Sequence, residues 1–430
     1  MTEFTGRGLG KSVDWWLIVC YLMLIFFGWI NIYSADVGTD TVSIFSLNIR
    51  SGKQFIWMMV SLGVGALILF LINPRLWEVL STPGYLVIIL ALVAVLLMGS
   101  TIKGSKSWLT LGPVSFQPAE ISKITTALML ALIMSQQGFK FRDWKFLLLS
   151  VGAIGLPMVL ILLEKETGLV LVYAGFLLPL YREGMSGWLI YALLACIVIF
   201  ILALKFPLWA PLAGVAVAVL IYFLANRPYV GSSKRARRKL IRESLLALAG
   251  GAAVSYGASY AFEKFLRGYQ KMRVEVLLGI TEDPSGIGYN VRQSMIAIGS
   301  GGVAGKGFLQ GTQTSLGFVP EQATDFIFCT IGEEWGFIGC ALVLFLFCFM
   351  IFRIIIDAEE CREAFTRIYG YCVAGFLFMH MVINVGMTIG LMPVIGITLP
   401  FISYGGSSLL GFTVLLFIFI ALHHQEKRYF

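Results

Sequence analysis

Residues 15–34 read WWLIVCYLMLIFFGWINIYS, a run without a charged side chain. A helix of this length crosses the ~30 Å of hydrocarbon in a bilayer. Similar apolar runs of about 17 to 25 residues recur to the end of the chain, which is 58% hydrophobic and only 13% charged. A transmembrane β-barrel would instead alternate over strands of ~10 residues. The sequence therefore predicts an all-α polytopic membrane protein with about ten to twelve transmembrane helices.

The distribution of Lys and Arg between the loops predicts the orientation of these helices. Loops on the side of the N-terminus carry about three times as many as the short loops opposite, with a basic run at Lys234 to Lys239 in a predicted loop over 226–243. The positive-inside rule places both termini in the cytoplasm and the long segment 263–324 outside. The predicted spans are 15–34, 54–72, 84–101, 118–137, 146–163, 167–181, 187–204, 208–226, 243–262, 325–352, 368–391 and 406–423.

Composition excludes several classes of function. The net charge is +8, but the basic residues lie at membrane edges without an aromatic and basic surface for nucleic acid. The seven cysteines fall in spans or in the 353–367 loop, so neither a disulfide framework nor a zinc site is predicted. The three histidines are absent from the external loops, which excludes a histidine-based triad there.

The first concentration of external polar residues runs from Lys103 to Lys123. Pro118 suits the first turn of a helix, and Glu120 and Lys123 then lie on one face, three residues apart. The free amide groups of a helix start also favour an anion. Spacing alone leaves two interpretations: a self-neutralising pair with Trp108 in the interfacial aromatic belt, or the lining of an anion-binding cavity.

Two further concentrations follow. Residues 164–168 form a tight turn with two carboxylates, which is either a solvated turn or a wall of the same cavity. In the 263–324 segment, apolar residues 295–298 precede a glycine-rich stretch at 299–307, which predicts a loop folded back onto the helices. Arg292 and Lys306 have the charge to meet phosphate oxygens. A nucleotide site is not inferred, because Walker A spacing and a βαβ context are both missing.

Asp325 lies where this loop enters a strongly apolar helix. The residue is either an N-cap or a carboxylate at the mouth of a membrane cavity, where a general base would act. Glu333 and Glu334 lie two to three turns deeper in the same helix. A charge at that depth requires a partner or a proton.

Three ordered motifs resemble the SEDS family, named for shape, elongation, division and sporulation. Residues 104–123 are similar to its G-[AS]-x-x-W and Q-P-[SA]-E-x-x-K patterns. Residues 293–334 contain A-I-G-S-G-G, P-E and T-D-F-I-F followed by G-E-E, and residues 384–409 contain L-P-F and S-Y-G-G-S-S. The resemblance runs through most of the chain, and it implies one SEDS-type transmembrane domain over 1–430.

The resemblance implies a peptidoglycan glycosyltransferase that polymerises lipid II, an undecaprenyl-diphosphate-linked disaccharide, at the outer face of the bacterial cytoplasmic membrane. Asp325 resembles the family's loop aspartate, the base for the acceptor's 4-hydroxyl. Positive charge for the leaving diphosphate would come from Lys123, a helix N-terminus and, as a further candidate, Mg²⁺ or Mn²⁺. One base and a direct displacement predict inversion. The implied substrate-binding residues are Trp108, Gln117, Glu120, Lys123, Glu166, Arg292, Lys306 and Ser403.

The chain departs from the family pattern at three places. Glu164 and Glu166 stand where the family usually has Gln-x-Asp, so Glu166 keeps the carboxylate on a longer side chain. Ala323 replaces the common histidine. A helix pair at 208–262 is predicted as an insertion into the family's usual ten spans.

Elongation members are favoured over division members by Asp14-Trp15, by residues 32–35 and by Gly311-Thr312-Gln313. An elongation enzyme implies a class B penicillin-binding protein, a transpeptidase, as partner. A division-type polymerase and a lipid II flippase are the alternatives, since a polyhelical bundle with a charged cavity also suits a transporter. A pure scaffold would leave the intramembrane Glu120 and Lys123 unexplained.

Overall fold

The computed structural model describes residues 13–37, 42–102, 105–111, 114–141, 143–230, 233–264, 268–281 and 286–429. Three strands, β1 (Ser100–Ile102), β2 (Ser105–Leu111) and β3 (Val114–Phe116), form an antiparallel sheet in that order. The helices are α1 (Trp15–Val37), α2 (Arg50–Phe70), α3 (Arg75–Met98), α4 (Pro118–Met134), α5 (Trp144–Leu163), α6 (Thr167–Val172), α7 (Leu177–Arg182), α8 (Gly187–Lys205), α9 (Trp209–Val230), α10 (Lys234–Lys264), α11 (Gly268–Leu277), α12 (Ile287–Gly301), α13 (Thr312–Ser315), α14 (Ile327–Glu360), α15 (Ala364–Thr388) and α16 (Gly406–Tyr429).

Within the described ranges, 9 helices are long and apolar enough to cross a membrane. They are α1, α2, α3, α5, α8, α9, α14, α15 and α16. The helix α4 is shorter, with 17 residues, and the predicted span 167–181 consists of α6, one 3₁₀ turn at Tyr173–Phe176 and α7. The prediction of an all-α polytopic membrane protein is confirmed.

The chain divides into two compact units, one of Met1–Gly184 with Tyr289–Phe430 and one of Met185–Gly288. The predicted helix pair 208–262 lies in the smaller unit, where α8, α9 and α10 pack against each other. The predicted basic loop over 226–243 is wrong, because Lys234 to Lys239 form the first turns of α10. Lys, Arg and Ala are strong helix formers, so a basic run of this composition can begin a helix rather than lie in a loop.

The helices α15 and α16 form the centre of the larger unit. In their most apolar windows, 78% and 72% of the residues are buried, against 22% in α3. Tyr21 of α1 contacts the rings of Phe401 and Phe417 edge-on, with centroids 5.2 Å away in each case. A polar side chain on α15 therefore lies inside protein and must find a partner there.

The helix α14 is broken at Gly336, whose φ of 63° is in the left-handed region. The break frees backbone groups on both sides, and the glycine-rich stretch pairs with them. Lys306 N–H and Gly307 N–H donate to the carbonyls of Glu333 and Glu334, each at 3.0 Å. Phe337 N–H and Ile338 N–H donate to the carbonyls of Gly302 and Val303, at 2.9 and 3.1 Å.

This pairing explains why glycine occupies position 305. A Cβ added to Gly305 would lie 2.0 Å from the carbonyl oxygen of Glu334, so only glycine permits such a close approach. The predicted folding of this loop back onto the helices is borne out for residues 301–307, and the stretch completes the backbone of a membrane helix.

Candidate active site

The start of α4 brings a carboxylate and an ammonium group together. Gln117 precedes the helix in extended conformation, Pro118 begins it, and the N–H of Glu120 donates to the carbonyl of Gln117 at 3.1 Å. One turn later, Lys123 Nζ donates to Glu120 Oε2 at 2.7 Å. The pairing expected from the sequence is therefore present, with the Lys123 side chain only 4% exposed and that of Glu120 13%.

His380 of α15 is the second partner of Lys123. Its Nε2 lies 3.0 Å from Lys123 Nζ, and its Nδ1 lies 3.1 Å from the carbonyl oxygen of Thr398. The ring of Phe412 lies 4.7 Å from Lys123 Nζ, measured to its centroid, and meets the imidazole edge-on. A buried ammonium is stabilised by this combination of carboxylate, imidazole and aromatic face.

The backbone around Asp325 is held by the 393–405 segment and by α15. Three consecutive carbonyls each accept a hydrogen bond: that of Ala323 from Tyr404 N–H at 2.8 Å, that of Thr324 from Ser403 Oγ at 2.6 Å, and that of Asp325 from Asn384 Nδ2 at 2.8 Å. The position of Asp325 is therefore fixed from outside its own loop.

The side chain of Asp325 lies beside Gly396, at the junction of the loop with α14. A methyl group added to Gly396 would lie 3.3 Å from Asp325 Oδ2, and the φ of Gly396 is +74°. The left-handed φ therefore favours glycine at this position, and a larger side chain would press against the Asp325 carboxylate. The carboxylate is half-buried, which suits a group that must meet a substrate hydroxyl.

The 393–405 segment connects Asp325 with Lys123. The carbonyl of Ile397 accepts from Asn384 Nδ2 at 2.6 Å, and the next carbonyl, that of Thr398, faces His380. Ser403 Oγ also accepts from Leu399 N–H at 2.8 Å, so Ser403 closes the segment onto the loop of Asp325. These two hydrogen bonds of the Ser403 hydroxyl hold the backbone that lines the expected cavity.

The turn of Glu164 and Glu166 approaches the same segment. A Cβ on Gly168 would lie 2.7 Å from Ile395 Cγ2, so this turn packs against the neighbour of Gly396. Glu166 accepts from Ser107 Oγ at 2.8 Å, and Ser107 precedes the half-buried Trp108 on β2.

Glu164 follows the end of α5 and is fully buried. Among the described residues, neither of its carboxyl oxygens has a hydrogen-bond partner. Burial, together with the charge of Glu166, raises the pKa of Glu164 from 4.5 to about 8. The carboxyl is therefore protonated at neutral pH unless a cation binds beside it.

The hydrogen bonds of Lys306 are made with residues other than those around Asp325 and Lys123. Lys306 Nζ donates to Glu333 Oε1 at 2.6 Å and to Thr312 Oγ1 at 2.7 Å. Arg292 is exposed on α12. The sequence did not identify the partners of Glu333 and Glu334. Glu333 accepts hydrogen bonds from Lys306 and from backbone N–H groups of α13. Glu334 accepts from the Ser34 hydroxyl and from Leu309 N–H.

Sequence reasoning missed His380 and Asn384, although both are polar residues within a hydrophobic span. Their depth was the available signal, because polar groups inside a membrane helix face protein or water and pair there. The small sheet that carries Trp108 was also not anticipated.

The whole chain, apart from its ends, matches one family model. That model is described as "Cell cycle protein", covers the FtsW, RodA and SpoVE proteins, and matches residues 14–243 and 236–428. The chain belongs to this family. The resemblance to the SEDS family is therefore confirmed, because the FtsW/RodA/SpoVE and SEDS names denote the same group.

Curated members of the FtsW/RodA/SpoVE family are similar along most of their length. Peptidoglycan glycosyltransferase RodA of Treponema pallidum is 32% identical, over 94% of this chain and 95% of its own. Peptidoglycan glycosyltransferase MrdB of Escherichia coli K12 is 33% identical, over 83% of this chain and 81% of its own. The expected enzyme class, a peptidoglycan glycosyltransferase in a multi-pass membrane protein, is confirmed.

Solved structures in the FtsW/RodA/SpoVE family share the fold. A chain of a structure titled "Structural coordination of polymerization and crosslinking by a peptidoglycan synthase complex" has a TM-score of 0.67 at 25% identity, covering 97% of this chain and 99% of that one. RodA of Thermus thermophilus has a TM-score of 0.61 at 23% identity, covering 97% and 98%. The latter likeness concerns the fold alone.

Proposed function

We propose that the protein polymerises lipid II into glycan strands during cell elongation, at the outer face of the bacterial cytoplasmic membrane. The observation that carries this proposal is the link between Asp325 and Lys123 through the 393–405 segment. The segment contacts the loop of Asp325 through Ser403 and contacts His380, the partner of Lys123, through Thr398. The 393–405 segment thus holds a base and a buried cation in fixed positions, and a displacement of diphosphate by a hydroxyl group needs both.

Asp325 is the proposed general base. Its backbone is held by Asn384 and by neighbouring contacts, so the carboxylate is pre-positioned before the acceptor binds. It removes the proton from the 4-hydroxyl of the acceptor sugar as that oxygen attacks the anomeric carbon of the donor. The bond from that carbon to the diphosphate breaks on the opposite side, which inverts the configuration.

Lys123 and the first turn of α4 stabilise the departing diphosphate. The ammonium of Lys123 is buried, and a charge in a low-dielectric site interacts more strongly than one in water. The N-terminal end of the α4 dipole adds partial positive charge. Glu120 is the counter-ion of the buried ammonium in the absence of substrate, and its removal would leave a buried cation without an opposite charge.

A divalent cation, Mg²⁺ or Mn²⁺, is part of the proposal. The residues fit such an ion, because Glu164 and Glu166 offer hard carboxylate oxygens and both oxygens of Glu164 are orphaned among the described residues. A bound ion would supply further positive charge to the diphosphate. Glu164 would then lose its proton on binding, as metal ligands generally do.

The proposed membrane placement follows the distribution of basic residues. Both termini are cytoplasmic by the positive-inside rule, and the loop of Asp325 then lies outside, where lipid II polymerisation takes place. A class B penicillin-binding protein is the proposed partner. The similarity to a chain of a peptidoglycan synthase complex in which polymerisation and crosslinking are coordinated supports this partner.

Lipid II transport is a second candidate because α14 is broken, as helices often are in transporters. In those proteins the free backbone ends of the broken helix contact the substrate. Here the carbonyls of Glu333 and Glu334 and the amides of Phe337 and Ile338 are paired with the glycine-rich stretch. The break therefore favours a fixed support over a moving gate.

Strand formation from purified lipid II tests the proposal. The detergent-solubilised wild type, with its transpeptidase partner, is compared with Asp325→Asn and with the matched control Asp143→Asn, an exposed cap of α5. We expect strands from the wild type and the control and none from Asp325→Asn. Substantial polymerisation by Asp325→Asn would refute the base, and no strands from the intact wild-type complex would favour transport.

A further inference from the structure

The hydrogen bonds of His380 define its tautomer. The carbonyl oxygen of Thr398 can only accept a hydrogen bond, so Nδ1, at 3.1 Å, carries the proton. Nε2 lies 3.0 Å from the ammonium of Lys123, which can only donate. The imidazole is therefore neutral and presents the Nε2 lone pair to Lys123.

We propose that His380 is a positioning residue for Lys123, and this role rests on the function proposed above. The ammonium has three N–H groups, and the described contacts use one on Glu120 and one on His380. Two fixed acceptors and the Phe412 ring define the orientation of the ammonium, so the remaining N–H group has one direction. The diphosphate of the donor is the anion that it meets.

The second hydrogen bond of His380 makes this more than a local contact. Thr398 belongs to the 393–405 segment, which also holds the loop of Asp325 through Ser403. One rigid ring thus sets the spacing between the cation that stabilises the leaving group and the carboxylate that accepts the proton. His380 is 1% exposed. An apolar residue would fill the same buried volume without fixing the position of Lys123 or that of Thr398.

Initial rates over a range of lipid II concentrations test the role in the partner-bound enzyme. In His380→Leu we expect kcat to fall about 100-fold, because small misplacements of catalytic groups carry such losses. KM should stay within about threefold, since the lost interaction acts mainly in the transition state. His424→Leu, at another buried histidine of the larger unit, is the matched control and should retain the wild-type kcat.

The variant His380→Gln provides the rescue. Its amide N–H₂ can donate to the Thr398 carbonyl while its amide oxygen accepts from Lys123, so we expect kcat within about tenfold of the wild type. Rescue separates positioning from packing, because leucine and glutamine both fill the space. A folded His380→Gln that is as slow as His380→Leu would refute the role.

Nitrogen NMR of ¹⁵N-histidine-labelled protein gives a reading that does not depend on turnover. We expect a neutral His380 protonated on Nδ1, with an Nε2 resonance that shifts in Lys123→Met; protonation on Nε2 would refute the contact. This spectrum decides the question if His380→Leu does not fold. Strands from the wild type with unchanged kcat in His380→Leu would overturn only this role, whereas no strands from the wild type would overturn the proposed function and this role with it.

Discussion

Two lysine–glutamate pairs in the larger unit have nearly the same length and different surroundings. Lys123 and Glu120 are 2.7 Å apart, and Lys306 and Glu333 are 2.6 Å apart. In the second pair the carboxylate is the fully buried partner, and α13 saturates it with backbone N–H donors from Thr312, Gln313 and Thr314 at 2.8 to 2.9 Å.

In the first pair the cation is the buried partner, and it retains an N–H group beyond its contacts with Glu120 and His380. A saturated carboxylate anchors a segment of the chain, because every hydrogen bond it accepts is already made. A buried cation with donor capacity left is prepared for an anionic ligand. The surroundings of an ion pair, rather than its length, therefore distinguish an anchor from a site.

Loss of Lys123 gives the largest expected effect. Lys123→Met should reduce strand formation about 10³-fold, equivalent to ~4 kcal/mol of transition-state stabilisation, because the leaving diphosphate loses its buried cation. The measurement is the initial rate with purified lipid II, and Lys427→Met, at an exposed pair with Glu360, is the control. Turnover within tenfold of the wild type would contradict the assignment of Lys123 to the site.

Removal of the anchor carboxylate should mainly affect folding. Glu333→Ala leaves Lys306 and three backbone amides of α13 without their acceptor, and it should lower the free energy of unfolding by about 3 kcal/mol. The measurement is thermal unfolding in detergent, with the exposed Glu360→Ala as control. An unchanged melting temperature would mean that this pair is no anchor.

Glu164 is another buried acid, and its effect on stability should depend on pH. The pKa of Glu164 is about 8 in the folded protein and 4.5 without burial. Between these two pH values, the unfolded chain has lost the proton of Glu164 and the folded protein still holds it. Stability therefore falls as pH rises through this window. With chelator present, Glu164→Gln should raise the free energy of unfolding by about 2 kcal/mol at pH 6 and by about nothing at pH 4.

Melting curves of the wild type and Glu164→Gln at the two pH values measure this difference. Glu78→Gln, at an exposed glutamate of α3, is the control. A gain of equal size at both pH values would show that Glu164 does not titrate in this range. If Mg²⁺ stabilises the wild type until Glu164→Gln is no longer the more stable protein, Glu164 is supported as an ion ligand.

The smallest effect is expected at Lys306. Its side chain is 25% exposed, and Glu333 keeps the backbone donors of α13 in its absence. Lys306→Met should therefore lower the free energy of unfolding by about 1 kcal/mol and leave kcat of the folded enzyme within about threefold. A loss of turnover as large as that of Lys123→Met would instead make Lys306 a substrate contact, as the family resemblance implies.

The sequence predicted those features that depend on local pattern. Apolar runs located the 9 long membrane helices of the described residues, although the predicted span 243–262 lies in α10, which is not one of them. Pro118 located the start of α4, and the spacing of Glu120 and Lys123 predicted their contact. The sequence did not predict His380 as the partner of Lys123, because 257 positions separate them and packing alone brings them together. The break in α14 was missed for a related reason, since Gly336 is tolerated there only because residues 302–307 supply the missing hydrogen bonds.

The break in α14 has a consequence for how the chain enters the membrane. Without the glycine-rich stretch, four backbone groups near Gly336 would meet hydrocarbon unpaired, at several kcal/mol each. Residues 302–307 precede α14, so they leave the ribosome before the helix that needs them. Residues 302–307 are therefore synthesised before the broken helix that they stabilise. A circular permutation with new termini between Gly307 and Ile327 would reverse that order while keeping every contact of the folded protein.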